Sequence, residues 1–363
     1  MKRIPKIIII VGAVVLIAVF YSIFKSFVVV ERSNSYLLDR IFAGGIVWRS
    51  SLDRPDNRVF KDNADGTVTD ESTHLMWAKD GNGAGCNNGK LLNWYEATSF
   101  CDNLTFASHS DWRLPTKKEL ESILDYTVSA KGAVINKVLS IVITTKKYES
   151  VDYTGAGTGK FYDSNSSYYW TSAVSAKNHE NVWSINFWGN VIQNYNEWNP
   201  IPKTSNFNVR CVRSGLADAP IYPDNQVFKD NADGTVSDES THLMWAKDGN
   251  GAGCGNGEDF AWKAAVRYCE GLTFANYSDW YLPTQKELLT IADDTVYNPA
   301  INKLFVNTKQ DAYWSLTPDL NYYENGYVMS ANVVDFADGS TGSVSSSGSE
   351  SDFALYIRCV RRY

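Results

Sequence analysis

The sequence predicts a mixed α+β fold, built twice in tandem behind an apolar N-terminal helix. Three observations carry this: a long internal repeat, a change of hydrophobic period within each repeat, and an N-terminal run unlike the rest of the chain. With 44% apolar and 13% aromatic residues among 363, the chain can bury two cores. A net charge of −7 argues against a general nucleic-acid binder, which needs a basic face.

The N-terminal element is Lys2, Arg3 and Lys6 followed by apolar residues from Ile7 to Phe20, continuing through Tyr21-Ser-Ile-Phe24 to Lys25. As a helix the 18 residues between Lys6 and Lys25 would reach about 27 Å, close to the hydrocarbon thickness of a bilayer. The basic flank puts the N-terminus in the cytoplasm and the bulk of the chain across the membrane. Residues 1–25 are thus expected as a signal-anchor helix and 26–57 as a membrane-proximal spacer. Cleavage of a signal peptide, giving a secreted protein, is the alternative, although no small-x-small site follows the run. A single span also argues against a channel or transporter.

The repeat begins at Val59. Residues 59–86 return at 227–254 with one change, Thr69 to Ser237. The offset of 168 holds through Cys101 and Cys269, and through "DWRLPTKKEL" at 111–120 and "DWYLPTQKEL" at 279–288. Tyr169-Trp170 then matches Tyr313-Trp314, and "NVRCVR" at 208–213 matches "YIRCVR" at 356–361. The expected domains are 58–214 and 226–363, joined by a linker at 215–225 that carries Pro220 and Pro223.

Within each copy the elements follow in order. "VFKDNADGTVTD" reads as strand, Asp-Gly turn and strand, and "LMWAK" carries the apolar residues on. The glycine-rich "DGNGAGCNNGK" reads as a flexible loop, since it lacks the strand and helix that flank a phosphate-binding loop. Asn93 caps a helix whose apolar face is Trp94, Ala97, Cys101 and Leu104. In the repeated motif Pro115 keeps Leu114 extended, and Thr116 with Glu119 has capping-box spacing; Pro283, Thr284 and Glu287 repeat the arrangement. Arg113, replaced by Tyr281 in the second copy, is expected to span this turn and pair with a buried carboxylate. Trp112 and Trp280 complete a motif that reads as scaffold. "YYWTSA", "NVWSINF" and "FNVRCVR" are late strands.

The ordered set "DGTVTD…LMW", "DWRLPT-x-x-EL", "YWTS" and "RCVR" resembles the Lcl C-terminal domain, named for a bacterial collagen-like surface adhesin. One departure is His74 (and His242), where the family usually has Gly. The resemblance covers nearly all of both copies. It implies tandem C-type-lectin-like domains, related to the formylglycine-generating-enzyme fold, in a bacterial protein; with the N-terminal run, the expected place is the inner membrane, with the domains in the periplasm or outside. It also implies a bridge from the first helix to the terminal strand, Cys101–Cys211 and Cys269–Cys359, with Cys86 and Cys254 left unassigned. Cys86–Cys101 with Cys254–Cys269 is the rival pairing. In the adhesin, the family's domain binds host glycans.

Candidate sites are few. Trp183, Trp188, Tyr195 and Trp198 form the aromatic surface best suited to stacking sugar rings, with a core role as the alternative. Asp62, Asn63, Asp65 and Asp70, and likewise Asp230, Asn231, Asp233 and Asp238, offer hard oxygens for calcium. Lys61 breaks the EF-type spacing, however, and a solvated hairpin is the favoured reading. No other cofactor is implied. His74 and His242 are the histidines shared by both copies, and beside "LMW" they read as structural. The expected function is a membrane-anchored, extracytoplasmic binding or adhesion protein whose partner is a glycan. Alternatives are a partner protein of the cell envelope and, with less support, an oxidoreductase of the formylglycine-enzyme type.

Overall fold

The computed structural model describes residues 59–125, 135, 138–139, 168–187, 201–214, 227–319, 323–324, 327–328, 330–345 and 353–363. The expected N-terminal helix, spacer and linker lie outside them. Among the described residues no helix is long and apolar enough to cross a membrane.

The first copy opens with β1 (Phe60–Asp62), β2 (Thr67–Asp70) and β3 (Leu75–Ala78). Asp65 Oδ1 closes the β1–β2 turn by accepting from Thr67 N at 2.9 Å. Gly66, at φ +90°, leaves room for the Phe106 ring: a Cβ there would stand 2.9 Å from its tip. Two helices follow, α1 (Trp94–Asp102) and α2 (Lys117–Ser122), both with reciprocal capping boxes, Asn93 with Glu96 and Thr116 with Glu119. The late strands are β4 (Tyr168–Val174), β5 (Asn181–Asn186), β6 (Ile201–Pro202) and β7 (Val212–Ser214). They form two antiparallel sheets, ordered β1-β2-β3-β7 and β4-β5-β6. The last strand thus returns beside the opening hairpin. "FNVRCVR" is a strand only at its end, because Phe207 and Asn208 make isolated bridges to Leu92 and Tyr169 instead.

Two further expectations are corrected. The glycine-rich stretch is a tight, packed turn: Ala84–Gly89 is a pair of 3₁₀ turns kinked where Asn87 and Asn88 take positive φ, with Gly85 and Cys86 buried. A Cβ on Gly85 would stand 2.5 Å from that of Ala78, so glycine is what lets the segment close on β3. The left-handed backbone is also more widespread than Asp-Gly alone suggests, since His74 has φ 56° and His242 φ 54°. That accounts for the glycine usual at this place, which occupies positive φ without a Cβ penalty. Replacing His74 and His242 by glycine is expected to stabilise the protein by about 0.5–1 kcal/mol each, read as a rise in the denaturant midpoint; a fall would refute the strain.

The second copy repeats the plan. Phe228–Asp230, Thr235–Asp238, Leu243–Ala246 and Val360–Arg362 form one sheet, Ala312–Pro318, Ser330–Asp335 and Thr341–Ser345 form a second, and Tyr323–Glu324 with Tyr327–Val328 make a short two-stranded addition. Its helices are Trp262–Glu270 and Gln285–Thr290. In the first copy the core has two parts. Val68, Trp77, Leu120, Ile123 and Tyr169 fill one, while Ala97, Trp112, Trp170, Val209 and the Cys101 and Cys211 pair fill the other. The disulfides are Cys101–Cys211 and Cys269–Cys359, each with Cα atoms 5.5 Å apart. Both copies belong to one compact unit, in which α2 packs against Gln285–Thr290. Lys286 Nζ donates to Ser122 O (3.2 Å) and Leu124 O (2.6 Å), and Lys117 Nζ donates to Asp294 Oδ1 (3.0 Å) and Gly339 O.

Candidate functional site

The recurring polar residues are partners of one another. Asp111 accepts a bidentate pair from Arg213, at 2.6 and 2.9 Å, which ties the "DW" of one motif to the "RCVR" of another. Backbone bonds between Arg113 and Val212 zip the same two segments together. Arg113 forks onto Glu119, 2.7 Å to Oε2 and 2.6 Å to Oε1, while Glu119 Oε2 also accepts from Thr116 N. Trp112 Nε1 donates to Phe106 O, and Arg210 is fully buried, donating to Ala78 O and Lys79 O. A buried guanidinium anchored on strand-end carbonyls is a structural clamp.

The second copy reaches the same end with different residues. Asp279 pairs with Arg361, and Trp280 Nε1 donates to Phe274 O. Tyr281 cannot fork onto a carboxylate, yet its hydroxyl donates to Glu287 Oε1 at 2.9 Å, and Arg362 supplies the missing cation at 3.0 Å. Arg362 occupies the place of Ser214 in the first copy. The turn thus demands a paired carboxylate, not a particular donor.

The predicted ligand-binding aromatics fare differently. Trp183 is not on the surface: it is 2% exposed, because α2 covers the face of β5 from which it projects. Its ring lies under Lys117, with Nζ 4.1 Å from the ring centroid. Trp188, Tyr195 and Trp198 lie outside the described residues. One exposed aromatic the sequence reading missed is Tyr95, 55% exposed, in edge-on contact with half-buried Trp94. Lys203 Nζ stands 5.0 Å from the Trp94 ring centroid. Adjacent helical positions lie about 100° apart, so Trp94 and Tyr95 cannot both face the core. In the second copy Trp262 is buried and is followed by exposed Lys263, so this face belongs to the first copy alone.

The hairpin oxygens are turned into their own turns. Asp62 Oδ1 accepts from Ala64 N and its Oδ2 is held by Lys79, whose hydrogen bond keeps the carboxyl below its ordinary range. Asp65 binds Thr67, Asp70 Oδ1 accepts from Ser72 N, and Asn63 donates to the Thr67 and Thr69 hydroxyls. Asp230, Asn231, Asp233 and Asp238 repeat these contacts. Among the described residues no three acidic, imidazole or thiol groups converge, and each of these carboxylates already accepts a hydrogen bond within its own hairpin. Cys86 and Cys254 carry free, buried thiols whose pKa burial pushes up, which disfavours the reactive thiolate.

Comparison with known proteins agrees with this architecture. Residues 66–213 and 234–361 each match the sequence model of the Lcl C-terminal domain. No curated protein matches the chain. On two matches that together span most of its length, this chain belongs to the Lcl C-terminal domain family and carries that domain twice.

Proposed function

We propose that the protein is a membrane-anchored, extracytoplasmic binding or adhesion module, held by residues 1–25 and recognising a glycan through its first copy. The observation that carries the reading is the Trp94–Tyr95 face. The polar groups of the repeated motifs are consumed within the fold, whereas this non-repeated aromatic pair projects from a helix pinned by the Cys101–Cys211 bridge. A rigid ring with one face in solvent suits stacking on a sugar, and the Lys203 ammonium beside it suits a ligand oxygen.

The test is a glycan array probed with the full chain in detergent. Binding is expected, at least about tenfold weaker for Tyr95→Ala, the loss of one exposed stacking contact. It should survive EDTA, because the hairpin carboxylates are committed to their turns. No binding to any glycan would reject this reading in favour of a protein partner in the envelope. The formylglycine-type oxidoreductase reading has weaker support, since each copy would have to use a buried, protonated thiol.

A further inference from the structure

The seam between the copies is asymmetric in chemistry although nearly symmetric in plan. In the second copy, Gln285 and Asn332 satisfy each other at 2.8 Å, Thr290 Oγ1 donates to Glu287 O, and Leu289 is apolar. The offset of 168 makes Lys117, Glu121 and Ser122 the counterparts of Gln285, Leu289 and Thr290. Strand register makes Trp183 the counterpart of Asn332. In the first copy this self-contained set has been broken. Lys117 is almost fully buried and crosses to Asp294 and Gly339 of the second copy. Behind it Glu121 is 2% exposed. Among the described residues, Glu121 Oε2, Ser122 Oγ and Trp183 Nε1 have no hydrogen-bond partner.

We propose that Glu121 is a proton-operated latch of this seam: protonated, it lets the two copies dock through Lys117 and Lys286; ionised, it loosens them. The charged groups facing it are Lys117 and Lys118 of its own helix, and Asp294 and Lys286 of the second copy. Pairing an ionised Glu121 with either cation that crosses the seam draws Lys117 from Asp294 and Gly339 O, or Lys286 from the end of α2; Lys118, next to Lys117 on the same helix, has not offset the burial of this carboxyl. Either move breaks contacts that cross the seam, and making neither leaves a buried charge unpaired. Burial outweighs the attraction of the three lysines and pushes the carboxyl up to about 7. The docked state therefore holds a proton that an opened, solvated Glu121 would release near its ordinary 4.5. Docking stability is complete below that value, falls as pH rises between the two, and is lowest above about 7.

Hydrogen–deuterium exchange on the full chain, corrected for intrinsic exchange at each pH, tests the latch. Between about pH 5.5 and 8.5, segments 117–125 and 285–295 should lose protection by up to about thirtyfold in the native protein. Segments 75–78 and 243–246, inside the sheets, should keep theirs. Glu121→Gln and, independently, Glu121→Leu (the residue type of the second copy) should make the seam insensitive to pH. The proposal is overturned if the native seam shows no loss, if both variants lose protection as the native protein does, or if the sheet segments loosen in parallel with the seam.

Discussion

Replacing Cys101 and Cys211 together by alanine, in a Cys86→Ala background that prevents exchange, is expected to lower the stability of the first copy by about 4 kcal/mol. The bridge closes a separation of 110 residues, and the entropy of a loop that long in the unfolded chain gives about 4–5 kcal/mol in the chain-entropy model. Both sulfurs lie in the apolar cluster with Trp112, Leu114 and Trp170, so the alanine pair adds little strain. Cys269 and Cys359 span 90 residues, and because the dependence is logarithmic their removal should cost nearly the same. Denaturant unfolding of the oxidised protein and its variants measures both. A cost under about 1 kcal/mol would mean the packed core, not the bridge, sets the stability.

The second large effect concerns the buried carboxylate of the repeated turn. Glu119 is fully buried and accepts three hydrogen bonds, two of them from Arg113. Arg113→Ala leaves that charge without its cation and should cost about 3–5 kcal/mol. Arg113→Tyr should recover only part, because a phenol donates one hydrogen bond and no charge. Adding Ser214→Arg reproduces the arrangement in which Tyr281 and Arg362 share Glu287, and should restore most of the rest. A double-mutant cycle reads the coupling directly, with at least about 1 kcal/mol expected. Strict additivity of the two changes would show that the copies solve the turn independently of this carboxylate.

Much of this is legible in the amino-acid sequence. Local chemistry is written locally: the Asn93 and Thr116 caps follow from spacing alone, and both form as read. The bridging of the first helix to the last strand came through the family resemblance, since six cysteines by themselves leave several pairings open. What escaped were facts that depend on what lies on top of a residue. Trp183 reads the same on a bare strand as on one covered by α2, and only the covering helix makes it core. The Lys117 to Gln285 difference was visible in the repeat, yet nothing in one dimension says that Lys117 reaches across to Asp294. The glycine-rich stretch misled for a related reason. Gly85 serves close approach to Ala78, and in a sequence that is indistinguishable from looseness.

The return of β7 to the side of β3 has a mechanical meaning for any chain pulled at its two ends. Tension applied through the chain termini of the first copy would peel apart the sheet that joins the opening hairpin to the last strand. Unravelling would then halt at the sulfur link, which withholds the 110-residue span from Cys101 to Cys211 from the pulling axis. At about 3.4 Å per extended residue, that is close to 370 Å of slack never paid out. A fold closed in this way gives a bounded extension under load and then holds.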